Sequence, residues 1–105
     1  MKQFSSEHQF QKAVCKLFVD HGWRAYRHPD SRKANVSSTP GFPDLVFAKP
    51  GLLVFAECKM PGKRPSDEQI IWLTNLASSA SYSSLVFLWC PEGWPEIEKV
   101  AKRGK

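Results

Sequence analysis

The stretch TPGFPDLVFAKPGLLVFAECK, Thr39 to Lys59, decides the fold. It holds two apolar runs rich in β-branched and aromatic residues, Asp44–Ala48 and Leu52–Lys59, joined by Lys49-Pro50-Gly51. Pro-Gly is a turn signal, so the stretch reads as a hairpin. With Pro50 and Gly51 at its tip, Lys49 faces Leu52 and the numbers of opposed residues sum to 101. Asp44 then lies opposite Glu57, with the two Cβ atoms about 5 Å apart on one face. Lys59, two residues beyond Glu57, shares that face, and Cys58 points the other way. A type II Pro-Gly turn does not match the preferred hairpin twist, and a longer loop or a bulge would shift this register.

Two adjacent carboxylates at the end of an apolar hairpin repel one another. Either one of them holds a proton, or a cation lies between them. Such oxygen ligands suit a hard ion, Mg²⁺ or Mn²⁺. A strand-edge carbonyl such as that of Cys58, together with water, would complete the shell. Lys59 would stand beside the ion, where an ammonium orients water or offsets charge on a phosphate. The plainer reading is a salt bridge in which Lys59 settles buried charge.

Outward from the hairpin, Phe10, Val14, Leu17, Phe18 and His21 recur at spacings of three and four, which predicts a helix over Ser6–His21. Ser6 and Gln9 form an S-x-x-Q capping box, and Gly22 is a natural stop. Glu7 sits at the inner edge of the helix start, where acids are favoured by the helix dipole. Trp23–His28 reads as a short strand ended by Pro29, and the polar, Ser-rich segment from Pro29 to Pro40 as a loop. A second helix opens after Pro65 with the box Ser66/Gln69, and Ile70, Leu73, Leu76, Ala77 and Ala80 form its apolar face. Ser84–Cys90 is an apolar strand continuous enough to be buried on both faces, and a last helix starts near Pro95. The order helix, strand, strand, strand, helix, strand, helix predicts an α/β fold with a mixed central sheet flanked by helices.

The 105 residues, 42% apolar, are expected to form one domain. No apolar run approaches the length of a membrane span, and the first residues show no signal-peptide pattern, so a cytoplasmic protein is expected. Cys15, Cys58 and Cys90 are odd in number, widely spaced and free of zinc-site spacing, which fits reduced thiols. The net charge is +5 and is clustered: Arg24, Arg27, Arg32 and Lys33 in one stretch, Lys99, Lys102, Arg103 and Lys105 in the tail. Such clusters suit a polyanion such as nucleic acid, or merely keep a surface soluble.

Pro43-Asp44 followed by Glu57-Cys58-Lys59 resembles the signature of the PD-(D/E)XK nuclease superfamily. Gly41-Phe42-Pro43-Asp44-Leu45, with Gln69 ten residues after Lys59, is similar to its VRR-NUC branch, the virus-type replication-repair nuclease domain, in its stand-alone phage or bacterial form. The resemblance spans Glu7 to about Trp89. It implies a restriction-endonuclease-like core, order αβββαβ plus a C-terminal helix, and a Mg²⁺- or Mn²⁺-dependent enzyme that hydrolyses DNA. It further implies that Asp44 and Glu57 bind metal and that Lys59 is the catalytic lysine. Gln69 lies beside the site, and Glu7 joins the metal shell through water. Arg24, Arg27, Arg32, Lys33, Lys63 and Arg64 are expected to contact DNA. A homodimer that cuts branched DNA such as four-way (Holliday) junctions is the leading expectation. A flap or nicking nuclease, or a module that binds DNA without cutting it, would use the same residues.

Overall fold

The computed structural model describes residues 3–28, 40–79 and 84–104. Helix α1 spans Glu7–Asp20, capped by Ser6, whose hydroxyl accepts from the Gln9 backbone N–H at 3.1 Å. The return arm of the expected box goes elsewhere: Gln9 Oε1 accepts from the backbone N–H and the hydroxyl of Ser5. The helix buries Phe10, Val14 and Phe18, and the chain reverses at Gly22, where φ is +91°.

Strand β1 follows at Arg24–Arg27, β2 at Leu45–Lys49 and β3 at Leu52–Cys58. The β2–β3 register runs from Lys49↔Leu52 to Leu45↔Ala56, the two-residue turn the sequence predicts, with Gly51 at φ +80°. Helix α2, Asp67–Ser79, crosses over to β4, Ser84–Trp89, which pairs parallel to β3. A short 3₁₀ turn at Pro91–Gly93 leads into α3, Trp94–Ala101. The sheet order is β1-β2-β3-β4, mixed as expected.

Strand alternation divides the sheet into two unequal faces. Leu45, Phe47, Val54, Ala56, Cys58 and Trp89 are buried on one face together with Phe10, Val14 and Phe18 of α1 and Ile97 and Ala101 of α3. Each large side chain buried here contributes roughly 1.5–3 kcal/mol. Phe18 stacks on Phe47 with centroids 4.0 Å apart. Trp23 donates its indole N–H to the Ala101 carbonyl at 2.8 Å. Lys49 lies over the Trp23 ring and donates to the carbonyls of His21 and Arg103, tying the ends of α1 and α3 together. Cations suit these positions because the last carbonyls of a helix lack partners.

The opposite face is thinly covered, and here two expectations fail. Helix α2 buries none of its residues; Ile70 is 48% and Ile71 58% exposed, and Ala77 is exposed as well. Its cover consists of Leu73, Leu76 and Trp72, all half-buried, with Trp72 and Phe55 each edge-on to Phe42. Strand β4, expected to be buried on both sides, is a sheet edge with Leu88 49% exposed. Periodicity identifies an apolar face but not whether the same chain covers it. No helix among the described residues is long and apolar enough to cross a membrane.

Candidate active site

Asp44 precedes β2, yet its carbonyl accepts from the His28 backbone N–H at 2.7 Å, so the ladder continues through it. On the other side, Cys58 donates its backbone N–H to Asp44 Oδ2 at 3.3 Å. Continuing the β2–β3 register by one residue pairs Asp44 with Glu57, as the sequence predicts. In the alternation of an antiparallel ladder, this pair is one of those whose backbones exchange no hydrogen bonds and whose side chains approach most closely.

Glu57 is fully buried. Its Oε2 accepts from Gln69 Nε2 at 2.6 Å and lies 3.7 Å from Lys59 Nζ. Its Oε1 is buried with no donor. Burial, then the facing Asp44, push the Glu57 pKa from 4.5 up to about 8, against the pull of Lys59. A proton shared with Asp44 satisfies Oε1; with both carboxylates ionised, that oxygen needs a cation. Glu7 stands within electrostatic reach of Lys59 and Asp44 at the start of α1, and its carboxyl is raised, chiefly by partial burial. Burial likewise pushes the Cys58 thiol far up, so it is not a thiolate nucleophile.

Gln69 fills both of the roles read for it in the sequence. Its backbone N–H donates to Ser66 Oγ at 3.1 Å, and its Oε1 accepts from the Ser66 N–H at 2.8 Å, closing the capping box. With the amide oxygen occupied in this way, the amide nitrogen is the atom turned to Glu57. The start of α2 is therefore hydrogen-bonded directly to the site.

Two residues of the Gly41–Leu45 stretch explain how the site is assembled. Gly41 has φ +92°, and a Cβ there would lie 2.5 Å from the carbonyl carbon of Glu68 in the first turn of α2. Only glycine allows this approach, which brings the helix carrying Gln69 against the chain carrying Asp44. Pro43, buried, falls opposite Cys58 in the continued register. The Cys58 N–H already points toward β2, and its carbonyl shares that edge of the strand. Proline has no N–H to give, so the ladder leaves this carbonyl without its donor.

These features test whether a divalent ion fits. The donor set is two carboxylates, one with an orphaned buried oxygen, and one main-chain carbonyl. Among the described residues, no three His, Cys, Asp or Glu side chains converge on a metal position. An ion here would fill its remaining positions with water, which is Mg²⁺-like behaviour. The residues fit on those terms.

Of the expected DNA contacts, Arg24, Arg27, Lys63 and Arg64 are exposed, and Arg27 is hydrogen-bonded to His8 of α1 at 3.0 Å. Lys63 and Arg64 lie in the segment joining Lys59 to α2. Arg32 and Lys33 fall outside the described residues.

No family model matches the chain, and no curated protein matches it. Among solved structures, it aligns with Hjc of Archaeoglobus fulgidus, a Holliday junction resolvase from an archaeal hyperthermophile, with a TM-score of 0.51 and 20% identity. The fold resembles that of a Holliday junction resolvase. The alignment covers 78% of this chain and 66% of the resolvase, so the chain matches just under two thirds of the resolvase's length. At this identity, the likeness to the resolvase is one of fold, and it agrees with the restriction-endonuclease-like core expected from the motifs. The VRR-NUC resemblance rests on the motif residues alone.

Proposed function

We propose that this chain is a Mg²⁺- or Mn²⁺-dependent DNA endonuclease of the PD-(D/E)XK type, selective for branched DNA such as four-way (Holliday) junctions. The observation that carries the reading is the Glu57 carboxylate: fully buried, opposite Asp44, with one oxygen held by Gln69 and Lys59 and the other without a donor. A purely structural Asp-Glu-Lys cluster satisfies that oxygen only while a proton is held between the two acids; with both ionised and no cation bound, leaving it unpartnered costs roughly 1–3 kcal/mol or more. Asp44, Glu57 and the Cys58 carbonyl would hold the ion, with Glu7 reaching it through water. When bound, the ion would lower the pKa of a water and offset charge on the phosphate.

The chain's own residues supply the rest. Lys59, with its side chain 15% exposed, presents an ammonium at the mouth of the site. Gln69 fixes the Glu57 carboxylate, and Lys63, Arg64 and Arg24 offer charge to the DNA backbone. A module that only binds DNA would use the same fold, but here both acids and the lysine are present, with Lys59 3.7 Å from Glu57 and Asp44 acting electrostatically on the same carboxyl.

The test is a low-salt assay with end-labelled four-way junction, flap, single-stranded and linear duplex DNA, in Mg²⁺, Mn²⁺ or EDTA. Wild type should cut in either metal, fastest on the junction, and Asp44→Asn should not cut. Binding without cutting in any metal would overturn the enzyme in favour of the binding module. Equal rates on all four substrates would overturn the junction preference alone.

A homodimer follows from the same reading, since two sites are needed to cut both strands of a junction. The aromatic residues Trp23, Phe42, Trp72 and Trp94 do not offer the interface. Trp23 and Trp94 are buried, and Phe42 and Trp72 are spent on one another. The better candidates are the exposed apolar side chains Ile70 and Ile71 of α2 and Leu88 of the edge strand β4. Ile71→Lys should convert a dimer to a monomer in sedimentation equilibrium while leaving the melting temperature of the monomer within a few degrees. A wild type that is already monomeric at tens of micromolar would remove the dimer.

A further inference from the structure

Strand β1 lies at the edge of the sheet, paired only with β2, and its register is Arg24↔Ala48, Tyr26↔Val46. The bond from His28 N–H to the Asp44 carbonyl extends it to His28 opposite Asp44. Alternation therefore sets Arg24, Tyr26 and His28 on the same face of the sheet as Asp44 and Glu57. Tyr26 and Asp44 are diagonal neighbours there, roughly 7–8 Å apart. Helix α2 rests over the other side of that face, against β4, with Phe42 edge-on between Phe55 and Trp72.

Tyr26 is 51% exposed, and no hydrogen bond or ring contact engages it among the described residues. Of the strongly exposed large apolar side chains among the described residues (Val19, Tyr26, Ile70, Ile71 and Leu88), it is the one aromatic. Arg24, two residues away on the same face, is exposed and carries a charge with no acidic partner among the described residues. An aromatic ring flanked by an exposed cation beside the proposed phosphate-cleaving site is the arrangement that recognises unpaired nucleic acid: the ring takes a base face and the cation the adjoining phosphate. A base within a duplex hides both faces in its stack, so such a ring distinguishes unpaired from paired DNA.

We propose that Tyr26 is a stacking platform for an unpaired DNA base next to the scissile bond, with Arg24 holding a neighbouring phosphate. This rests on the nuclease reading above and gives it a source of selectivity for branched or frayed DNA.

The test is equilibrium binding in EDTA, where no cutting occurs, using fluorescently labelled single-stranded DNA and duplex DNA of equal length. Wild type, Tyr26→Phe, Tyr26→Ala and Tyr26→Thr are compared across salt concentrations, the threonine variant keeping strand propensity at the edge of the sheet. Tyr26→Ala and Tyr26→Thr should lose about tenfold in affinity for single-stranded DNA and less than twofold for duplex, with the salt slope unchanged. Tyr26→Phe should bind as wild type does. Arg24→Ala should instead reduce the salt slope by about 0.7 on single-stranded DNA. Equal losses on both DNAs, or no loss on either, would overturn the platform while leaving the nuclease intact. Failure of wild type to bind any DNA would overturn both.

Discussion

Lys59→Ala will bind junction DNA within about twofold of wild type and cut it at least ~10²-fold more slowly, a loss of about 3 kcal/mol in transition-state stabilisation. The lysine is the cation beside Glu57, with its Nζ 3.7 Å from Oε2 and its side chain 15% exposed. It is therefore partly desolvated, where a charge acts more strongly than it does at a free surface. It is also shielded from forming many DNA contacts, so ground-state binding should survive its loss. Lys59→Arg keeps the charge but spreads it over a planar fork that does not match an ammonium position, so it should recover only part of the rate. Single-turnover cleavage alongside binding in EDTA separates the two effects. If Lys59→Ala cuts as fast as wild type, the lysine is only the counter-ion of a buried glutamate.

The hairpin was legible because Pro50-Gly51 admits one simple turn and period-two alternation then fixes every opposed pair, Asp44 and Glu57 included. Local rules of this kind need no knowledge of the rest of the molecule. Gln69 was legible in kind but not in full. Capping box and site contact are two separate readings of one residue in sequence, whereas an amide has an acceptor end and a donor end and satisfies both. The approach of Gly41 to Glu68 could not be read, since it joins residues far apart in sequence through a contact that only folding creates. Pro43 could have been found: once the register is drawn, its missing N–H falls opposite Cys58. The exposed Ile70, Ile71 and Leu88 show the reverse limit, because apolar periodicity looks the same whether a core or a partner covers it.

In the absence of divalent ions, the protein will lose stability as pH rises from about 4.5 to about 8, and Mg²⁺ or Mn²⁺ will restore it. The folded state raises the Glu57 pKa from 4.5 to about 8, mainly through burial and secondarily through Asp44. A raised carboxyl favours folding while it is protonated. Its contribution is therefore complete below the unfolded value and lost as pH climbs through the folded one. A shift of that size corresponds to roughly 5 kcal/mol at the upper end. Domains of this size are stable by only about 5–15 kcal/mol in total, so the effect should be visible as a fall of about 10 °C or more in melting temperature between pH 5 and pH 8.5 in EDTA. A cation held by the two ionised carboxylates binds only the folded state, and millimolar Mg²⁺ or Mn²⁺ at pH 8.5 should recover most of that fall. Glu57→Gln removes the ionisation while its amide can still meet Gln69 across the same 2.6 Å contact. Its melting temperature in EDTA should vary less with pH, exceed that of wild type at pH 8.5 and ignore added metal. Its cleavage should vanish, so one substitution should stabilise the fold and abolish the chemistry. Thermal melts of both proteins across this range decide the matter: a wild type that melts alike at pH 5 and pH 8.5 in EDTA and does not respond to metal would mean that Glu57 is neither a strained buried acid nor a ligand.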